Sequence, residues 1–217
     1  MNRKFKILGL ILVVLGSTSL SASATAAEFH SEAAHTILSG GQPAESNDVI
    51  TFRAGTVTCN SRTYAGTAAS ATSSELTVTP AISECNAFGF VNAKVDVPGG
   101  NVPAGAGGGC DYRFTPSTAS SQLHVVCGAG EFITTTAFNC YVKWGSQTLT
   151  GVSYANSGSG SSRDVTTSIN ITGLTYTQES KSFPGCTNGT FSDGKWSGAV
   201  TAFGSNTSGA PVGIWYE

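Results

Sequence analysis

The sequence predicts an all-β protein, an antiparallel β-sandwich of Ig-like or larger Greek-key type, stapled by disulfides. Three observations carry that expectation. From Glu28 onward apolar residues recur with period two rather than 3.6. Gly, Ser, Asn and Pro punctuate these runs at short intervals. Six cysteines, an even number, follow an N-terminal export pattern.

That export segment is the first element. Arg3, Lys4 and Lys6 form a basic flank, Ile7 to Gly16 is an apolar core, and Ala24-Thr25-Ala26 places small residues where a signal peptidase cleaves. The apolar run is shorter than the roughly 20 residues that a spanning helix needs. Residues 1–26 therefore read as a cleaved signal peptide. Residues 27–217 read as a single disulfide-bonded β domain, with two sub-lobes meeting near residues 99–109 as a variant of that reading. No membrane span remains after cleavage, and a soluble, secreted protein is expected, outside the cell or in its envelope.

The mature chain opens on FHSEAAH, residues 29–35, which holds two of the three histidines around a glutamate. A metalloprotease helix needs H-E-x-x-H, with its histidines four apart on one face. Here they are five apart. On a strand His30 and Glu32 share one side and His35 takes the other. A first strand is expected, and no metal site.

Further along, Cys59 and Cys85 flank a hairpin that turns around AASATSS, setting Ala68 opposite Leu76. In SELTVTP, Leu76 and Val78 share a face. PAISECNAFG, from Pro80, is the one place where a short helical turn is expected. FVNAKVDV sets Val91, Ala93, Val95 and Val97 against Asn92, Lys94 and Asp96, and DVTTSINIT sets Val165, Ile169 and Ile171 against Thr166, Ser168 and Asn170. PGGNVPAGAGGG and ANSGSGSSRD are expected to be flexible loops.

The cysteines can be paired by register. Folding CDYRFTPSTASSQLHVVC at Thr118 and Ala119 brings Cys110 opposite Cys127, Tyr112 opposite Val125 and Phe114 opposite Leu123, apolar against apolar. A return strand through EFITTT would carry Cys127 and Cys140 to opposite ends of a meander, so that pairing fits worse. Cys59 with Cys85 follows from the preceding hairpin, and Cys140 with Cys186 by elimination, although six cysteines allow fifteen connectivities. Zinc fits poorly, because structural sites use closely spaced cysteine pairs and none occurs here.

The segments GTVTCNSRTYAGTA, LTVTPAISECNAFGF, GGCDYRFT, LHVVCGAGEFI, NCYVKWGSQTLTGVSYAN, LTYTQ and VGIWYE span nearly the whole mature chain. Together they resemble a group of secreted, six-cysteine, β-rich bacterial proteins, common in actinobacteria and of unknown function. The resemblance implies a compact exported β protein and lends no activity. The glycine-rich loop before Cys110 departs from the group's pattern.

Charge narrows the partners. Without Arg3, Lys4 and Lys6 the chain carries 8 Lys and Arg against 13 Asp and Glu, a formal net charge of −5. Phosphate backbones are held by clustered Lys and Arg, so nucleic acid is not an expected partner; a cell-surface glycan or protein is.

No catalytic constellation emerges. The G-x-S-x-G elbow is absent. His124 falls on the outward phase of its strand, and a triad with Asp111 or Asp96 has no positive sign. Asp48, Asp96, Asp111, Asp164 and Asp193 are read as turn and solvent-facing residues. No cofactor or metal is implied. Among the aromatic residues Trp144 alternates with Val142 and Cys140, which argues inward, while Trp196, set among glycines and polar residues, is the candidate for exposure and ligand binding. The leading expectation is a structural or binding role at or outside the cell envelope. A carbohydrate-binding module using exposed aromatics near Trp196 comes second, and a hydrolase with an unrecognised site third.

Overall fold

The computed structural model describes residues 26–43, 46–99, 109–182 and 184–217. Residues 1–25 of the expected signal segment and most of the loop at 99–109 lie outside the described residues. The strands are β1 Phe29–Ser31, β2 Thr36–Gly41, β3 Asp48–Phe52, β4 Gly55–Ala68, β5 Thr72–Ser73, β6 Leu76–Ala87, β7 Val91–Asp96 and β8 Cys110–Thr115. They continue with β9 Ser121–Cys127, β10 Ile133–Ala137, β11 Cys140–Trp144, β12 Gln147–Ser157, β13 Asp164–Ser180, β14 Gly189–Ser205, β15 Pro211–Val212 and β16 Ile214–Tyr216. One short 3-10 turn, Gly160–Ser162, lies in the serine-rich loop. The helical turn expected after Pro80 is absent: that stretch continues β6, because both sides of it find ladder partners.

The all-β, antiparallel expectation holds, but the sandwich does not describe the pairing. The main sheet closes on itself. Four long strands, β4, β6, β13 and β14, run through the whole wall, and between them sit short strands placed end to end. At one end the circuit is β6-β8-β9-β12-β13-β14-β2-β4 and back to β6. At the other it is β6-β7-β10-β11-β13-β14-β3-β4 and back to β6. Closure pairs most of the strand edges that a large antiparallel sheet would otherwise expose. A small sheet, β16-β1-β5, covers the first end.

The two circuits share strands but not side-chain phase. In β4 the buried residues are Val57 and Cys59, then Arg62, Tyr64 and Ala68; in β6 Val78, Pro80 and Ile82 are buried on one phase, Thr79 is buried beside them, and Cys85 and Ala87 are buried on the other. Both strands slip by one residue at the same level, where Asn60 and Glu84 fall out of the ladder between Cys59↔Cys85 and Ser61↔Ser83. Because side chains alternate, one extra residue swaps the faces. Matching slips in both partners preserve the register. In β13 the change falls at Gly173, whose φ of 83° suits glycine: Val165, Thr167, Ile169 and Ile171 point inward before it, Leu174, Tyr176 and Gln178 after it. This level, halfway along the wall, is termed the waist, and one continuous apolar cluster fills both halves.

All three disulfides are Cys59–Cys85, Cys110–Cys127 and Cys140–Cys186. The register read for the 110–127 hairpin is the observed one, Tyr112↔Val125 and Phe114↔Leu123 included. With no cysteine left free, intact mass spectrometry of the oxidised protein should return the chain mass less six hydrogens. A thiol-reactive label should leave the native fold unmodified, and labelling without denaturant would contradict the pairing.

Outward positions of β13 are Thr166, Ser168, Asn170 and Thr172, where a lipid-facing barrel carries an apolar band. Among the described residues no helix is long and apolar enough to cross a membrane.

Candidate functional site

The largest departure from expectation is in the first half of the barrel. Asp48, expected at a turn, starts β3 fully buried, and Arg62 meets it from β4 at 1% exposure. Arg62 Nη1 lies 2.6 Å from Asp48 Oδ1, and the Trp196 indole N–H donates to the same oxygen at 3.1 Å. Trp196, expected to be exposed, is 1% accessible. The guanidinium lies 5.3 Å from the Trp196 ring centre and 5.4 Å from that of Tyr64, so aromatic faces take the place of hydrogen bonds. Asp48 Oδ2, Arg62 Nε and the Tyr64 and Tyr112 hydroxyls have no hydrogen-bond partner. Burial pushes the Asp48 carboxyl above its ordinary range, against the pull of Arg62 and Trp196. Gly198 makes room for the pair, since any side chain there would strike the Asp48 carboxylate. This cluster is a closed, structural one.

FHSEAAH forms strand only over β1. Glu32 to His35 turn, with His35 at φ 57°. His30 stacks on Trp215, ring centres 5.3 Å apart, and its Nε2 is 3.8 Å from Glu217 Oε2. Arg163, from the segment on the other edge of β16, places its guanidinium 3.8 Å from the Trp215 ring centre. Trp215 is thus flanked from both sides rather than offered as a platform. Among the described residues no group of His, Cys, Asp and Glu could hold a metal ion. His124 Nδ1 and Thr148 Oγ1 are 2.9 Å apart across β9 and β12, and Asp111 accepts a hydrogen bond from Thr79. No triad forms from these groups.

With Trp144 also buried, no tryptophan is an open platform. The exposed rings are phenylalanines, none of them a candidate from the sequence: Phe90 at 79%, Phe132 at 47%, Phe138 at 46%, Phe203 at 44% and Phe88 at 38%. A signal was available for three of them. Phe132 is out of phase with inward Ile133 and Thr135, and Phe88 and Phe90 flank a glycine at a hairpin tip.

Phe132 borders the one feature that the waist itself creates. Where β11 gives way to β12, β13 loses its ladder partner between residues 169 and 177. Gln147 bridges the gap with its side-chain amide, donating to the Thr175 carbonyl at 3.0 Å and accepting from the Thr175 N–H at 2.9 Å. The opening is a groove of about 550 Å³ lined by Phe132, Lys143, Ser146, Gln147, Thr175 and Thr177 among others. Phe132 meets Gly145 along one ring edge: a Cβ there would sit 3.1 Å from its Cδ1 and 3.2 Å from its Cε1. Trp144 forms part of the lining, and its buried Nε1 has no hydrogen-bond partner. Lys143 is paired with Glu179 at 3.4 Å. No described pocket brings a carboxylate and a histidine together.

No family model, curated protein or solved structure matches the chain.

Proposed function

We propose that the protein is an exported, non-catalytic binding protein whose ligand site is the waist groove and whose ligand is a carbohydrate. The observation that carries this reading is the half-exposed Phe132 ring, backed by Gly145 and set beside neutral hydrogen-bonding side chains. An aromatic face suits the apolar face of a sugar ring, and Ser146, Gln147, Thr175 and Thr177 suit its hydroxyls. Its one cation is already paired, which favours a neutral ligand. Export is supported by the signal pattern and by three disulfides, which persist in oxidising compartments.

A glycan array followed by calorimetry tests the site. The wild-type protein should bind a defined set of glycans competably, and Phe132→Ala should weaken that binding about tenfold, or about 1.4 kcal/mol. Loss of the exposed ring should leave the unfolding midpoint nearly unchanged. Absence of glycan binding, or equal binding by both proteins, would overturn the proposal.

A further inference from the structure

The serine-rich loop and the β14–β15 hairpin together border an open groove of about 320 Å³ on the outside of the barrel. That is about twenty times the room one water needs, so a small molecule enters without displacing a strand. Both borders are held in place. In the loop the Ser162 N–H donates to the Ser159 carbonyl at 3.2 Å and the Arg163 N–H to the Gly160 carbonyl at 3.0 Å. The Ile214 N–H ties the loop to β16 by donating to the Arg163 carbonyl at 2.9 Å. In the hairpin the Asn206 N–H donates to the Ala210 carbonyl, and Asn206 Oδ1 accepts from the Ala210 N–H, both at 2.9 Å.

The floor is the outer face of β13, β14 and β2. Val165 pairs with Ala202, so the next step of that ladder sets Asp164 beside Phe203, and Phe203 pairs with Ser39 across its other edge. Val165 is buried, which turns Asp164 outward by alternation. The Phe203 ring is 44% exposed. Asp164 is an unmatched charge: no ion pair among the described residues includes it. Its neighbour Arg163 instead lays its guanidinium against the Trp215 ring. Partial burial raises the Asp164 carboxyl above its ordinary range, and no cation acts in the opposite sense. The hydroxyls of Ser39, Ser161, Ser162 and Ser205 surround this pair of residues.

We propose that this groove is a second ligand site, taking a protonated amino sugar. A carboxylate that lacks a cation, set beside an exposed aromatic ring, suits an ammonium group, which both attract. Serine hydroxyls accept from a primary ammonium and exchange hydrogen bonds with sugar hydroxyls, while Phe203 meets the apolar face of the ring. A quaternary ammonium would leave those hydroxyls no N–H to accept. The site shares no lining residue with the waist groove and does not depend on it.

Amide NMR titration with two probes, the disaccharide of glucosamine and its fully N-acetylated counterpart, tests the assignment on the oxidised, full-length mature protein. Mildly acidic, low-salt buffer keeps the amine charged. On the wild-type protein, shifts caused by the glucosamine disaccharide should cluster at residues 39–40, 161–164 and 203–211. Read at those amides, it should bind at least tenfold more tightly than the N-acetylated sugar. Asp164→Asn, which keeps the side chain's size, should abolish that preference, and Phe203→Ala should weaken the glucosamine disaccharide about tenfold. Phe132→Ala should leave these shifts unchanged. The wild-type readout stands even if a variant fails to fold. Shifts centred on Phe132 and Gln147, equal affinity for the two sugars, an unchanged preference in Asp164→Asn, or equally tight binding of butylammonium would each overturn the proposal.

Discussion

Arg62→Ala is expected to lower the free energy of unfolding by about 3–5 kcal/mol, because it strands a buried carboxylate that has lost its only cationic partner. That is a large share of the roughly 5–15 kcal/mol that holds a typical domain together. The loss should exceed that of any single surface substitution, and Asp48 should respond by taking up a proton in the folded state. The double variant Asp48→Asn, Arg62→Leu should recover much of the loss. The asparagine retains an oxygen for the Trp196 N–H, and neither member then carries a charge that needs solvation. Urea unfolding of Asp48→Asn, Arg62→Leu and the double variant beside the wild-type protein gives the coupling directly. Additive losses, with no recovery in the double variant, would mean that the two residues do not act as a pair.

Removing the Cys140–Cys186 bridge is expected to cost about 4 kcal/mol, the largest effect among the three disulfides. It closes the longest loop, with a sequence separation of 46 against 26 and 17 for the others. It also differs in kind. Cys59 faces Cys85, and Cys110 faces Cys127, as direct partners in a ladder that would persist without the sulfurs. Cys186 lies in the connection between β13 and β14 and has no ladder partner among the described pairs. The Cys140→Ser, Cys186→Ser protein should melt roughly 10 °C lower, given about 2–4 °C per kcal/mol for a chain of this size. A shift of under 2 °C would show that the connection holds its place by packing alone.

The strands through Val91–Asp96 and Asp164–Thr172, and the two cysteine hairpins, were legible because each rests on local alternation and on partners a short turn apart. The same rule is silent where β4, β6 and β13 slip by one residue, since a bulge is set by the neighbouring strand and leaves little mark in its own sequence. Trp196 was misjudged for a related reason. Its glycine and polar neighbours suggested a surface, yet Gly198 is small because Asp48 and Arg62 fill the space beside it. Asp48 was assigned to solvent on the general habit of aspartate, which a cation from another strand overrides.

By itself, then, the sequence determined the strand content, the inward faces of the short strands and the hairpin disulfides, all of which depend on residues near one another along the chain. Only the tertiary structure decided that the sheet closes, that Trp196 joins the Asp48–Arg62 pair, and that a groove opens beside Phe132. Each of these depends on which distant strands meet. Asp48 and Trp196 are 148 residues apart, and β13 closes one end of the wall through β11 and the other through β12. Period-two alternation says which side of a strand is buried, and nothing about which strand lies across the barrel from it.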